Sequence, residues 1–194
     1  MRQICDRLAL IVLTIAPVSC SPLLPRVEYT THSGPKAFPK IYGVVLDDTF
    51  TPEDSSAIRS ALSNWNIALN ENIELTTDSN GPKWDNIWYV QNMSEGTCVL
   101  TLACQSDKGR ALGFVDMLGG HKLYLIPSRV RSPSELTFVT MHEIGHLFGL
   151  EHNPNTLMDL YFNRRLYSCV DPLTAWAVAR TNNLDYGAMN WCTP

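Results

Sequence analysis

The sequence predicts a single α+β domain, and two observations carry this prediction. The first is the order of the elements: one strand pattern, a helix, a run of short strands, then two helices, which is typical of helices and a sheet packed in layers. The second is size. A chain of 194 residues with 45% hydrophobic content is long enough for one domain with a real core and too short for two ordinary ones. We place this domain at residues 40–194.

The first two elements have clear local signals. The stretch KIYGVVL, which begins at Lys40, is rich in β-branched residues and predicts a strand. In the stretch TPEDSSAIRSALSNWNIALN, Thr51 can cap a helix and Pro52 suits its first position. The apolar stripe expected on this helix consists of Ala57, Ile58, Ala61, Leu62, Trp65 and Leu69.

Several short strands are expected between residues 72 and 127. The candidate stretches are IELTT, IWYVQN, CVLTLAC, LGFVDML and KLYLIP, separated by Asn, Gly, Ser and Asp. The last two flank a predicted hairpin turn with Gly119 and Gly120 at its tip.

Two further helices begin with a capping residue followed by proline. Ser132 caps the first of them, Pro133 opens its first turn, and Glu135 completes a capping box. Asp171 caps the second, with Pro172 in its first turn.

The first twenty residues have the layout of an export signal. Arg2 and Arg7 precede an apolar run over residues 8–16, which is too short to span a bilayer as a permanent helix. The closing APVSC resembles a bacterial lipoprotein signal, in which Cys20 is lipidated, although Pro17 stands where leucine is usual. We expect an exported protein of the cell envelope, anchored to the membrane by lipid at Cys20; plain secretion is the alternative.

The segment between the signal and the domain predicts an extended tether. Residues 21–39 contain four prolines and little apolar periodicity, so we expect no fold of their own there.

Four cysteines remain after the signal. An even number suits disulfides in an oxidising compartment. Short loop closure favours pairing Cys98 with Cys104, which leaves Cys169 with Cys192. A zinc site made of cysteines is disfavoured because no close CxxC spacing occurs.

The stretch MHEIGHLFGLEHNPNTLMDL, from Met141, contains a candidate metal site. Residues four apart share a helix face, so His142 and His146 can offer two imidazole nitrogens to one ion, with the Glu143 carboxylate beside it as a candidate general base. Gly149 can take a positive φ and end the helix, which would return His152 toward the same ion. Three nitrogens and one open position are typical of catalytic zinc.

The full pattern HExxHxxGxxH resembles the signature of the metzincin metallopeptidases, and Met158 is similar to the methionine of their Met-turn. The order of elements over roughly residues 38 to 185 is similar to that of matrixins. The resemblance implies a zincin-like fold: a mixed twisted sheet with an active-site helix, a Met-turn and a C-terminal helix. Asn153 and Leu160 depart from the residues usual in the subfamilies, so the subfamily stays open.

The resemblance also implies a function. We expect a zinc-dependent endopeptidase with one catalytic Zn²⁺ held by His142, His146 and His152, in which a metal-activated water attacks the peptide bond and Glu143 is the general base. The motif does not address a structural Ca²⁺. The expected partner is a polypeptide lying along residues 112–116, with a pocket wall formed by Leu160, Tyr161 and Phe162.

Two alternatives stay open. An aspzincin-type peptidase would take its third ligand from Asp159, Asp171 or Asp185, whereas a gluzincin is excluded because no glutamate follows Glu151. A non-catalytic zinc-binding or adhesion domain on the same fold is the second alternative, which the presence of Glu143 disfavours.

Charge excludes one class of partner. The formal net charge is −4, and Lys and Arg are scattered singly or in pairs, so no basic stripe exists for nucleic acid. Nothing in the sequence indicates an oligomer.

Overall fold

The computed structural model describes residues 40–70, 72–81, 83–99, 111–116, 121–160 and 168–192. All of these belong to one compact unit, Ala37–Pro194. The predicted signal and tether with Cys20, the hairpin tip, Cys104, Tyr161 and Phe162 lie outside the described residues.

A five-stranded mixed sheet forms the centre of the described structure. Its strands are β1 (Lys40–Leu46), β2 (Ile73–Thr76), β3 (Asn86–Asn92), β4 (Gly113–Asp116) and β5 (Lys122–Leu125). Their order is β2-β1-β3-β5-β4; the first four strands in this order are parallel, and β4 runs antiparallel to β5 at the edge. This architecture confirms the mixed sheet expected from the sequence, and the antiparallel β4–β5 pair agrees with the predicted hairpin.

The described helices are α1 (Pro52–Leu69), α2 (Glu95–Val99), α3 (Pro133–Leu147) and α4 (Pro172–Asn182), with short 3₁₀ turns at Pro127–Arg129 and Tyr186–Ala188. Three of them, α1, α3 and α4, begin where the capping signals place them. The Ser132 side chain accepts from the Glu135 amide, but the Glu135 carboxylate accepts from the Arg131 amide and not from that of Ser132. The first half of the expected capping box is therefore present, whereas in the second half Glu135 bonds to the amide one residue before Ser132.

One face of the sheet is buried against α1 and α3. Side chains alternate along each strand: in β1 Val44 is buried and Val45 exposed, and in β3 Trp88 is buried between exposed Ile87 and Tyr89. The predicted stripe of α1 is buried as expected. The indole Nε1 of Trp65 also donates to the Met141 carbonyl over 3.0 Å, which fixes α1 against α3.

The stretch CVLTLAC does not begin as a strand, so the prediction is wrong for its first two residues, and the remaining five lie outside the described residues. Cys98 lies in α2, which starts after Ser94 because the Ser94 carbonyl accepts from the Cys98 amide over 2.9 Å and its hydroxyl accepts from the Thr97 amide. The apolar side chain of Cys98 packs with Met93 and Ile126. The alternation of apolar residues suggested a strand, whereas the local serine cap decided the structure.

The structure contains a disulfide between Cys169 and Cys192, whose Cα atoms are 6.0 Å apart. Cys98 is also disulfide-bonded. Within the described ranges, no helix is both long enough and apolar enough to cross a membrane.

Candidate metal centre

Helix α3 carries the first part of the site on its C-terminal half. His142 and Glu143 are buried there, and His146 is half-buried. Because His142 and His146 are four residues apart, their rings stand on the same face of the helix, with centroids 4.9 Å apart. The helix thus places two imidazoles next to each other on one face.

A glycine turn supplies the third imidazole. Gly149 has φ 82, the left-handed conformation that a side chain disfavours. The Gly149 amide donates to the His146 carbonyl, and the Leu150 amide donates to the Gly145 carbonyl, which is the hydrogen-bond pattern of a Schellman motif. The chain reverses direction at this point, which places His152 near the two histidines of the helix.

The structure brings the three predicted histidines together. One ring nitrogen from each of His142, His146 and His152 lies within 4.8 Å of the other two. His142 is buried, His146 half-buried and His152 exposed, so the cluster opens to solvent on the His152 side. In the part of the chain that the structure describes, this is the group of His, Cys, Asp or Glu side chains placed to hold a metal ion.

Two backbone carbonyls orient the helical imidazoles. His142 Nδ1 lies 2.8 Å from the Leu157 carbonyl oxygen, and His146 Nδ1 lies 2.7 Å from that of Leu150. A carbonyl only accepts, so each Nδ1 carries the hydrogen and each Nε2 presents its lone pair to the cluster. The sequence held no signal for these partners, because they are main-chain groups.

The helical imidazoles favour the neutral form that ligates metals. Burial lowers the pKa of His142 to about 4, with the neighbouring His146 as the second cause. Burial also lowers the pKa of His146. A neutral imidazole keeps the nitrogen lone pair that a metal needs.

Glu143 lies one residue along the helix from His142 and is 5% exposed. Its Oε2 is buried without a hydrogen-bond partner, and burial raises the pKa of the carboxyl to about 8. A buried carboxylate oxygen that bonds to no other protein group is available to a ligand or to solvent.

Met158 lies against the histidine helix. It is 1% exposed, and its sulfur occupies the space over Gly145, where an added Cβ would overlap with Sδ. The Met158 carbonyl accepts from the Asn153 amide over 2.8 Å. The methionine therefore packs on the segment of α3 that separates the two helical histidines.

The aspartates of the aspzincin alternative each accept hydrogen bonds from other groups, and the charge of Asp159 also acts on the pKa of His142. Asp171 is buried and accepts from the Leu157 amide and from the backbone and hydroxyl of Thr174. The Asp159 carboxylate accepts from the Asn155 amide, and Asp185 accepts from that of Gly187. The sequence identified Asp171 as a helix cap and as an alternative metal ligand; its contact with Leu157, 14 residues earlier, requires the fold.

The donor set fits zinc. Three imidazole nitrogens are a common catalytic zinc set, and a Zn–N distance of about 2 Å with tetrahedral angles puts two ligand nitrogens about 3.3 Å apart. His146 Nε2 and His152 Nε2 lie 3.2 Å apart. The residues present therefore suit this ion in chemistry, and the His146–His152 pair also suits it in spacing.

The sheet and the histidine cluster define a zincin-like domain with a candidate three-histidine metal site. Among solved structures, the chain is similar to archaemetzincin from Methanopyrus kandleri, with a TM-score of 0.51 and 13% sequence identity over 77% of this chain and 98% of that one. At this identity the likeness concerns the fold. No protein-family model and no curated protein matches the chain.

Proposed function

We propose that this protein is a zinc-dependent endopeptidase. The observation that carries the proposal is the convergence of three imidazole nitrogens within 4.8 Å. Glu143 follows the first of these histidines on the helix, and its buried Oε2 has no hydrogen-bond partner. A structural metal site normally closes its coordination sphere with four protein ligands, whereas three ligands leave a position for solvent and substrate. The fold shared with a protein named archaemetzincin supports the proposal.

Each residue of the site has a separate role in the proposed reaction. His142, His146 and His152 hold the ion. When bound, zinc supplies a Lewis acid that polarises the substrate carbonyl and makes water more acidic. Burial alone disfavours the ionised form of Glu143, which the positive charge of a bound zinc would favour. The ionised Glu143 takes the proton of the attacking water and then donates it to the leaving amine. The Leu157 and Leu150 carbonyls keep the two helical rings oriented.

Strand β4 is the proposed binding site for the polypeptide substrate. Among the described residues it lies at the edge of the sheet and pairs on one side with β5. We propose that its other side pairs with the substrate backbone as an added strand. Leu160 is exposed and belongs to the proposed wall of a side-chain pocket. Main-chain pairing gives affinity for peptides of many sequences, and the pocket gives the preference among them.

We further assign the chain to the metzincins, with Met158 as the Met-turn methionine and a matrixin-like order of elements. The spacing from His152 to Met158 and the packing of the methionine on Gly145 support this assignment. The subfamily stays open because of Asn153 and Leu160.

Removal of the base tests the mechanism. We expect Glu143→Ala to lose about 10²-fold or more in peptide cleavage while keeping one zinc per chain. The matched control is Glu74→Ala, at an exposed position of β2 on the opposite edge of the sheet, which should cleave like the wild type. Cleavage of a peptide library with and without chelator, together with metal analysis, provides the measurement. Full activity in the zinc-loaded Glu143→Ala variant would refute the general-base role.

The same assay separates the alternatives. If His152→Ala left zinc affinity unchanged, His152 would not be the third zinc ligand, and an aspartate, as in aspzincins, would be favoured instead. If the wild type bound zinc but cut no peptide in the library, the non-catalytic zinc-binding or adhesion domain would be favoured.

We also propose export of the protein, with a lipid anchor at Cys20. The disulfide between Cys169 and Cys192 supports an oxidising compartment. The mass of the mature N-terminus tests the anchor: a diacylglyceryl adduct on Cys20 is expected, and an unmodified N-terminus elsewhere would indicate plain secretion.

A further inference from the structure

Gly113 opens β4, and its backbone conformation does not explain why a glycine stands there. Its φ lies outside the left-handed region, so any residue could adopt the same backbone. Glycine also weakens a strand, because it has no side chain to pack and loses more conformational freedom on folding. Another constraint must exclude a side chain at this position.

That constraint has two parts, the side chain of Glu143 and the main chain of β5. A Cβ at position 113 would lie 3.0 Å from Glu143 Cγ, 3.3 Å from Glu143 Cδ and 3.0 Å from the Tyr124 carbonyl oxygen. The Tyr124 oxygen belongs to β5, which is paired with β4, and the Ile126 amide donates to Leu112 immediately beyond the pair. The sheet is therefore held in place here, so an added Cβ would press on both the Tyr124 carbonyl and Glu143, and Glu143 is the neighbour whose side chain can shift without breaking the strand pairing.

The contact with Gly113 constrains a carboxylate that is otherwise held weakly. Glu143 is buried, and its Oε2 makes no hydrogen bond. A side chain without a bonding partner at that oxygen takes its position mainly from the surfaces packed against it.

We propose that Gly113 is a positioning residue for Glu143, an inference that rests on the proposed peptidase function. The missing Cβ lets the base lie directly against the strand along which the substrate is proposed to bind. One stretch of backbone then sets the positions of both the base and the peptide. Position 113 consequently controls the rate of the chemical step and has little effect on the binding of substrate.

The kinetic test compares Gly113→Ala with Gly96→Ala. Gly96 lies in α2, and no atom lies within 4 Å of the place that an added Cβ would take, so it controls for the substitution itself. We expect Gly113→Ala to lower kcat per zinc-loaded molecule by about 10-fold, less than the roughly 10²-fold cost of a 1 Å misplacement, with KM within about twofold of wild type. A kcat equal to that of Gly96→Ala, or a change confined to KM, overturns the proposal.

A second measurement does not depend on activity. The melting temperature is measured for wild type, Gly113→Ala, Glu143→Ala and the double variant. Because Glu143→Ala removes Cγ and Cδ, we expect the loss of melting temperature caused by Gly113→Ala to be about 2–4 °C smaller in that background. Equal losses in both backgrounds overturn the proposal. A wild type without chelator-sensitive cleavage refutes the peptidase function, and this cycle then decides by itself whether Gly113 positions Glu143.

Discussion

At the scale of single residues, Gly149 decides whether the third histidine reaches the other two. Its φ of 82 is a conformation in which an L side chain is strained. This requirement was visible in the sequence, because a glycine between the second and third histidines of the motif predicts a left-handed helix end. The left-handed conformation is confirmed by the structure.

Replacement of Gly149 should therefore destabilise the turn in a graded order. Gly149→Ala costs about 1–2 kcal/mol for the left-handed backbone, which corresponds to a loss of roughly 2–8 °C in melting temperature. Gly149→Asn is the matched control, since asparagine tolerates this conformation, as Asn70, Asn155 and Asn183 show here. Both variants place a Cβ 3.2 Å from Thr181, so the difference between them reports the backbone alone. An alanine variant as stable as the asparagine variant would contradict the argument.

At the scale of elements, the start of α4 is tied to the loop that orients His142. The buried carboxylate of Asp171 caps the helix at Leu173 and Thr174, and it also accepts from the Leu157 amide over 2.8 Å. The Leu157 carbonyl in turn accepts from His142. A helix cap thus fixes the loop residue whose carbonyl holds a proposed zinc ligand.

Asp171→Asn should affect both stability and metal binding. An amide nitrogen cannot accept, so a buried donor such as the Leu157 amide loses its partner, at a cost of about 1–3 kcal/mol. We expect a lower melting temperature and a zinc affinity that falls by less than the roughly 10–100-fold typical of a direct partner of a ligand. Asp185→Asn, at an exposed cap, is the control. Thermal unfolding and chelator competition provide the readings, and identical values for the two variants would exclude the coupling.

At the scale of the whole molecule, local signals predicted the fold well and distant contacts poorly. Thr51, Ser132 and Asp171 marked helix starts because a cap acts within one turn. The histidine cluster was predictable because its members lie within 11 positions on one helix and one turn. The contact of Gly113 with Glu143 was not, since it joins a strand to a helix 30 positions away.

The error at α2 shows how little a short apolar pattern decides. The apolar residues of CVLTLAC suited a strand, but the cap at Ser94 begins a helical turn there, and that turn is stabilised by the packing of Cys98. Cys98 packs with Met93 and Ile126, and Ile126 is distant in sequence. A short apolar stretch is ambiguous until its tertiary partners are known.

The disulfide between Cys169 and Cys192 attaches the end of the described chain to the start of α4. It closes a loop with a sequence separation of 23, and the Cys192 amide donates to the Val170 carbonyl.

A loop of this length corresponds to about 3 kcal/mol of stabilisation through restriction of the unfolded chain. The Cys169→Ala/Cys192→Ala double variant should therefore melt about 6–12 °C lower than wild type. Either single variant should lose nearly as much, because each breaks the same bond. Ser168→Ala, at an exposed neighbouring position, controls for local substitution. If the double variant had the same melting temperature as this control, the disulfide would contribute nothing to stability.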